Sequence, residues 1–458
     1  MTVSADADPD VPGAEEVLAR AEALGGAVAR RRLEAELAAL DRELLVRQRR
    51  ALTTVPPVPD PADLQAPELL PPSTVEAAEN AEARRLGLEA LAAGRVAVVT
   101  LAGGQASRLG FEGPKGAFPL GPISGASLFQ ILAARLRRAG EVVGRPIPWV
   151  LLTGPDNDAA TRAFFARHAD FGLAPGQVRF VRQGTLPALS PEGDFLLAAP
   201  DRLFRNPDGH GGLYRALEGS GAHEALAAAG VDLLFTCQVD NALVPLVDPV
   251  FLGHHLRTGA RITSKAVEKT DPAEKVGLLA EDGDGRGLCV EYSDMPAELQ
   301  AERAADGGLR FRAGNVAIHV LDLDLAREVA ASDLPLHLAR KRARVLGDDG
   351  LVGERDVVKF ETFLFDAMPL AGPGKARVQL GLREDEFAPL KNRSGADSSA
   401  TARAALVARD RRWLEAAGLA PPSEGPVELL PGAAWDVADL LERRSELRER
   451  LDGRLWSA

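Results

Sequence analysis

Apolar residues at helical spacing open the chain. Across the Ala-, Leu-, Glu- and Arg-rich stretch Ala14 to Leu52, the residues Leu33, Leu37, Leu40 and Leu44 recur at intervals that predict helix with one inward stripe. The proline-broken run Val55 to Pro72 cannot be regular, because each proline removes a donor and biases its predecessor away from helix; an extended surface connector is expected. Ser73 with Glu76 predicts a capping box and a helix to about Ala93. From Arg95 the period changes. Val96 to Leu101, Trp149 to Thr153, Val178 to Val181 and Leu233 to Cys237 read as short buried strands, with helices expected over Leu128 to Arg138 and Asp158 to His168. This alternation predicts an α/β fold, a doubly wound, mostly parallel sheet of Rossmann-like type whose ligands bind outside the carboxyl ends of strands. Between Val276 and Phe311 the pattern turns to hairpins, with turn residues at Asp282 to Gly287. Beyond Gly372 a sheet-like run, Val378 to Arg383, gives way to helices. The expected divisions are an N-terminal helical lobe over 1–94, a central domain over 95–372 and a small C-terminal α+β unit over 373–458.

Composition narrows the partners. With 458 residues, 46% hydrophobic and 26% charged, the chain is globular and long enough for a real core. Its net charge of -12 makes a general nucleic-acid binder unexpected, since such binding needs clustered cations. Anionic ligands must then be held by a local pocket. The two cysteines, Cys237 and Cys289, exclude a disulfide framework and fit a reducing compartment. The start, MTVSADADPD, lacks the basic-then-apolar order of a signal peptide, and no apolar run approaches the roughly 18 residues of a membrane helix. A cytoplasmic protein without membrane or nucleic-acid partners is expected.

The segment from Leu101 to Gly110 (LAGGQASRLG), followed by Pro114-Lys115-Gly116, carries the strongest chemical signal. Glycines after a strand let backbone N–H groups face an anion, and Arg108 and Lys115 add cations for phosphate oxygens. The spacing matches neither a Walker loop nor G-x-G-x-x-G. Asp240 likewise falls at the carboxyl end of a strand, where ligands of such sheets bind.

The loop G-G-x-x-[ST]-R-L-G…P-K resembles that of sugar nucleotidyltransferases, and the chain more narrowly resembles the UDP-sugar pyrophosphorylases, nearest their UDP-N-acetylglucosamine branch. Further matching stretches, in the family's order, are Arg182 to Ala188, Pro207 to Tyr214, Val239 to Asn241, Val267 to Thr270, Val290 to Ser293, Ala313 to Ala317 and Leu382 to Asn392. The resemblance covers roughly Val96 to Leu406 and implies that 95–372 is a catalytic nucleotidyltransferase domain. It implies a uridylyltransferase: UTP and a sugar 1-phosphate, N-acetylglucosamine 1-phosphate favoured, give UDP-sugar and pyrophosphate with Mg2+. Such a displacement needs positioning and charge neutralisation rather than a protein nucleophile. The roles implied are nucleotide binding for Leu101, Ala102, Gly103, Gly104, Gln183, Gly209 and His210; phosphate contact and catalysis for Arg108, Lys115 and Lys391; sugar binding for Gly277, Glu291, Asn315, Phe363 and Phe365; and Mg2+ binding for Asp240. Lys391 lies far along the chain, so closure of the last unit is expected to bring it in. His210 departs from the Asp-Gly-Asn-Gly-Gly of the N-acetylglucosamine branch and pulls toward glucose, leaving a glucose-1-phosphate enzyme as the alternative. A glycosyltransferase would need Asp-x-Asp at a strand end, whereas Asp282-Gly-Asp284 sits in a turn run and Asp322-Leu-Asp324 begins a helix. A non-catalytic nucleotide-binding protein would be expected to lack the cations or Asp240. A monomer or weak homo-oligomer is expected.

Overall fold

The computed structural model describes residues 13–54, 60 and 62–457, grouped into two compact units. Residues 1–12, 55–59, 61 and 458 lie outside the description, and with them the N-terminal decapeptide and part of the proline-rich connector read above.

The larger unit (59–182, 214–332 and 365–458) is built on a ten-stranded sheet. Its path runs Leu69–Leu70, Ala376–Gly381, Ile262–Glu268, Ala313–Asp322, Leu233–Gln238, Val96–Leu101, Trp149–Thr153 and Val178–Arg182. Along this path pairing is parallel except on both sides of Ala313–Asp322, so the expected mostly parallel α/β sheet is found with one reversed strand in its main run. Val96–Leu101 and Trp149–Thr153 are β-branched and apolar because both sheet faces are covered. Helix Leu128–Val143 starts at a capping box in which Ser127 and Gln130 exchange bonds at 3.2 and 2.8 Å. It buries Phe129, Leu132 and Leu136 in one core with Trp149, Phe165, Phe235 and Ile318. The hairpin Leu278–Glu281 and Gly287–Val290 forms where the turn residues place it.

Three expectations change. Helix Ala78–Ala93 begins after Ala77 without a side-chain cap. The Ser73 hydroxyl donates instead to Asp248 and accepts from Gln379, so the Ser73–Glu76 box does not form. The connector is not wholly superficial either: Leu64 is buried in the hairpin's core and Leu69–Leu70 adds a strand to the sheet, because these apolar residues between prolines find packing partners. Finally, Ala376–Gly381 pairs inside the main sheet with Ile262–Glu268 rather than opening a separate terminal unit, and the stretch 1–94 is shared between both units. A strand's neighbours are set by distant chain segments and leave no mark in its own pattern.

The smaller unit (1–58, 183–213 and 333–364) combines helices Ala14–Ala38 and Arg42–Thr53 with a four-stranded sheet ordered Val352–Glu361, His337–Leu346, Leu197–Ala199 and Arg202–Leu203. Leu18, Leu33, Leu37 and Leu45 from the helices pack with Leu189, Phe195, Leu197, Val358 and Phe360. The leucine stripe thus faces a core, with Leu40 and Leu44 partly buried against it. No helix among the described residues is long and apolar enough to cross a membrane.

Candidate functional site

In the larger unit the glycine-rich loop leaves the carboxyl end of Val96–Leu101. Buried Asn157 shapes it: its amide nitrogen donates to Ala102 O at 2.8 Å and Gly104 O at 3.1 Å, while its oxygen accepts from Gly154 N at 2.8 Å. With those carbonyls held, the N–H groups of Gly103 and Gly104 donate to no protein acceptor among the described residues. Gly154 has to lack a side chain, since a Cβ there would lie 2.7 Å from Gly103 O. The loop therefore presents free donors at a strand end, the arrangement that receives an anion.

The adjoining strand, Leu233–Gln238, delivers Asp240 two residues past its end. Lys115 reaches it from the loop, Nζ to Oδ2 at 2.9 Å, and Lys115 N donates to Gly104 O at 3.1 Å. Asp240 is buried, and its own carbonyl accepts from Leu390 N at 2.9 Å. The backbone just before Lys391 is therefore seated against that of the aspartate. The exposed ammonium of Lys391 lies 3.7 Å from Asp397 Oδ2. Arg108 is exposed and makes no hydrogen bond or ion pair among the described residues. The structure thus brings Gly103, Gly104, Lys115, Asp240 and the Lys391 segment together. Among the described residues no group of three or more His, Cys, Asp or Glu gathers to hold a metal. Asp240 alone fits a hard cation only if ligand oxygens complete the shell, which is how Mg2+ is commonly held.

A second cluster of the same unit joins Gly277, Glu291 and Asn315 around Cys289. A Cβ on Gly277 would stand 3.1 Å from Cys289 Sγ and 3.4 Å from Glu291 Oε1. Asn315 N donates to Gly277 O at 2.8 Å, and its side-chain amide donates to Cys289 Sγ at 3.5 Å. Asn315 sits where Ala313–Asp322 bulges against Ile262–Glu268. Its amide oxygen accepts from Ala317 N at 2.9 Å, and Ala317 takes a left-handed φ of 54° to make the bulge. Burial, with Glu291 nearby, pushes the Cys289 thiol far up, so it is an inert neighbour rather than a nucleophile. Nothing in the spacing of Cys289 marks it as part of a site. Phe365 is buried in this unit.

The smaller unit carries the remaining candidates. The Gln183 amide nitrogen donates to Asp208 Oδ1 at 3.3 Å and Gly209 O at 3.4 Å, which leaves its oxygen as the acceptor end. Gly209, at φ 85°, packs so closely that a Cβ would lie 2.4 Å from Thr362 O. His210 Nδ1 accepts from Leu364 N at 2.9 Å, so the ring proton sits on Nε2. Burial, and then the nearby His337, hold its pKa down at about 4. His210 is therefore a neutral N–H donor at physiological pH. Phe363 stacks on His210 with centroids 5.0 Å apart and on His337 at 4.1 Å. Phe363 is thus committed to an imidazole stack, a partnership the Phe-x-Phe spacing does not reveal.

The Asp-x-Asp candidates fall where expected: Asp282 and Asp284 lie between two hairpin strands, and Asp322 precedes helix Leu323–Ala330 with Oδ1 3.1 Å from His255 Nε2.

Comparisons with known proteins identify the family. The family profile described as UTP–glucose-1-phosphate uridylyltransferase matches residues 63–415. The chain is similar to UDP-N-acetylglucosamine diphosphorylase 1 of Arabidopsis thaliana, 39% identical over 351 residues, or 73% of this chain and 68% of that one. It is likewise similar to UDP-N-acetylglucosamine pyrophosphorylase of Saccharomyces cerevisiae, 38% identical over 373 residues, 76% of this chain and 77% of that one. Among solved structures, the uridine diphosphate N-acetylglucosamine pyrophosphorylase of Trypanosoma brucei superposes with a TM-score of 0.81 at 25% identity, covering 95% of this chain and 93% of that one.

Proposed function

The chain belongs to the UTP–glucose-1-phosphate uridylyltransferase family, and we propose that this member joins UTP to N-acetylglucosamine 1-phosphate, releasing pyrophosphate. The observation that carries the reading is the Lys115–Asp240 ion pair at 2.9 Å beside the free N–H groups of Gly103 and Gly104. A loop of donors with a long-armed cation and one carboxylate suits a phosphate-bearing ligand.

In the proposed reaction a phosphate oxygen of the sugar 1-phosphate forms a bond to the α-phosphorus of UTP as the bond to the bridging oxygen breaks, and pyrophosphate carries the electron pair away. The Gly103 and Gly104 N–H groups and Arg108 hold the triphosphate, and Lys115 exchanges Asp240 for phosphate oxygens as the nucleotide enters. Lys391 adds charge at the same phosphates. Asp240 would hold Mg2+, which when bound supplies further neutralisation of phosphate charge. The oxygen of Gln183 offers the acceptor that uracil N3–H requires. Gly277 leaves room beside Glu291 and Asn315, whose side chains take sugar hydroxyls, and Phe365 serves the acyl group.

The glucose alternative is set aside because the relatives at 38–39% identity are named for N-acetylglucosamine. Two free cysteines support a cytoplasmic setting, and a monomer or weak homo-oligomer fits the reading. A panel of sugar 1-phosphates with UTP and Mg2+, followed by pyrophosphate release, tests it. N-acetylglucosamine 1-phosphate is expected to give the highest kcat/KM; preference for glucose 1-phosphate reverses the sugar assignment, and no release from any sugar removes the activity.

A further inference from the structure

Asn241, next to the strand-end aspartate, is buried and ties two distant stretches of the larger unit together. Its amide nitrogen donates to Glu386 O at 2.7 Å, and its oxygen accepts from Ala388 N at 3.0 Å and Leu243 N at 3.2 Å. Backbone bonds continue the seam, Ala242 N to Ala388 O at 3.2 Å and Leu390 N to Asp240 O at 2.9 Å. One side chain thus replaces part of a strand ladder and lays residues 386–390 along residues 240–242.

The far side of the seam is equally constrained. The Glu386 carboxylate receives Lys265 Nζ at 2.6 Å, and that wholly buried ammonium also reaches Asp248 Oδ2 at 2.7 Å. Asp248 in turn caps helix Pro249–Thr258 through Val250 N at 2.9 Å. A buried ammonium between two carboxylates gains little net stability, since desolvation offsets the attraction, but it tolerates few geometries. Glu386 is therefore fixed by its side chain from one direction and by its carbonyl from the other. Five residues on, the same segment ends in Lys391.

We infer that Asn241 is a positioning residue for uridylyl transfer: its amide sets the spacing between Asp240 and Lys391 so that both address the same phosphates. The inference rests on the proposed phosphate roles of those two residues. Serine at 241 is too short to span both Glu386 O and Ala388 N, so the segment loses its register while Asp240 keeps its strand.

A double-mutant cycle on pyrophosphate release tests this. Asn241→Ser should lower kcat about 10-fold with KM for UTP changed less, and Lys391→Ala should cost about 10-fold in the native background but only about 2-fold in Asn241→Ser. Arg108→Ala should cost the same fraction in both backgrounds. A merely structural role lowers thermal stability yet leaves the Lys391→Ala ratio unchanged, and that additivity overturns the inference. Should Asn241→Ser not fold, Asn241→Asp keeps both acceptor bonds, replaces the donor to Glu386 O by a carboxylate oxygen that repels it, and enters the same cycle. Unchanged turnover in Lys391→Ala alone also overturns it, because nothing then needs positioning, while pyrophosphate release by the unmutated enzyme shows that the uridylyltransferase reading itself stands.

Discussion

The two sets of candidate residues solve opposite electrostatic problems. Around the glycine loop the chain concentrates formal charge in a protein of net charge -12: Lys115 neutralises Asp240, and Arg108 stands without a carboxylate partner among the described residues. Around Gly209 the groups are neutral: an amide oriented by Asp208, and an imidazole that burial keeps uncharged between backbone and aromatic rings. Charge serves where a ligand's charge moves during reaction, because its Coulomb attraction needs no fine alignment. Neutral donors and acceptors serve where one ring has to be told from another, because a misplaced hydrogen bond leaves a buried group unpaired. Damage to the first set should therefore lower turnover, and damage to the second should lower selectivity.

The largest effect is expected at the charged set. Asp240→Asn keeps size and most hydrogen bonding but removes the formal charge, and should cost at least ~10²-fold in kcat, on the order of 3 kcal/mol. Full Mg2+-dependent turnover by that variant would take Asp240 out of the role. A smaller effect is expected at the neutral set. Gln183→Leu removes the acceptor proposed for uracil N3–H, and should lower kcat/KM for UTP by roughly 10-fold while leaving kcat nearly unchanged. It should also narrow the preference for UTP over CTP; an unaltered nucleotide ratio would mean that Gln183 does not read the base.

How much of this can be read from the chain depends on whether a feature is local. Val96–Leu101 and Trp149–Thr153 are legible to the residue, because burial on both faces writes itself as an unbroken apolar run. The glycine loop is legible because a cradle of free N–H groups needs residues that are contiguous. Val378 to Arg383 reads as the start of a terminal unit because its apolar pattern does not say that Ala376–Gly381 pairs with Ile262–Glu268. Lys391 reads as remote because the seating of its segment on Asp240 depends on a backbone carbonyl and on the Asn241 amide, not on any property of lysine. Asn315 is found by resemblance, yet what aims it is a bulge that puts Ala317 at φ 54°, where an alanine gives no warning of a left-handed backbone. The Ser73–Glu76 spacing fails for the converse reason: a correct local signal loses to stronger partners, Asp248 and Gln379, contributed from far along the chain.

The smallest and most discriminating effect is expected at His210, where selectivity and pH meet. As a neutral ring whose Nδ1 accepts from Leu364 N, His210 has one N–H left to offer, on Nε2, and takes no part in proton transfer near neutrality. An asparagine in its place would supply a donor and an acceptor together, so His210→Asn should shift the ratio of kcat/KM values a few-fold toward N-acetylglucosamine 1-phosphate over glucose 1-phosphate. The same variant isolates a stability effect. The imidazole's folded pKa is about 4 against an ordinary value of 6.5, so between those pH values the unfolded chain binds more protons than the folded one. Stability from this group is therefore complete above about pH 6.5 and is lost as pH falls toward 4. The thermal midpoint of the native protein should drop through that window more steeply than that of His210→Asn, measured by scanning calorimetry in buffers of matched ionic strength. Parallel pH profiles would mean that His210 is not buried as a neutral group, and an unchanged sugar ratio would mean that it does not face the sugar; the two results are separable because one reads the ring's protonation and the other its neighbour.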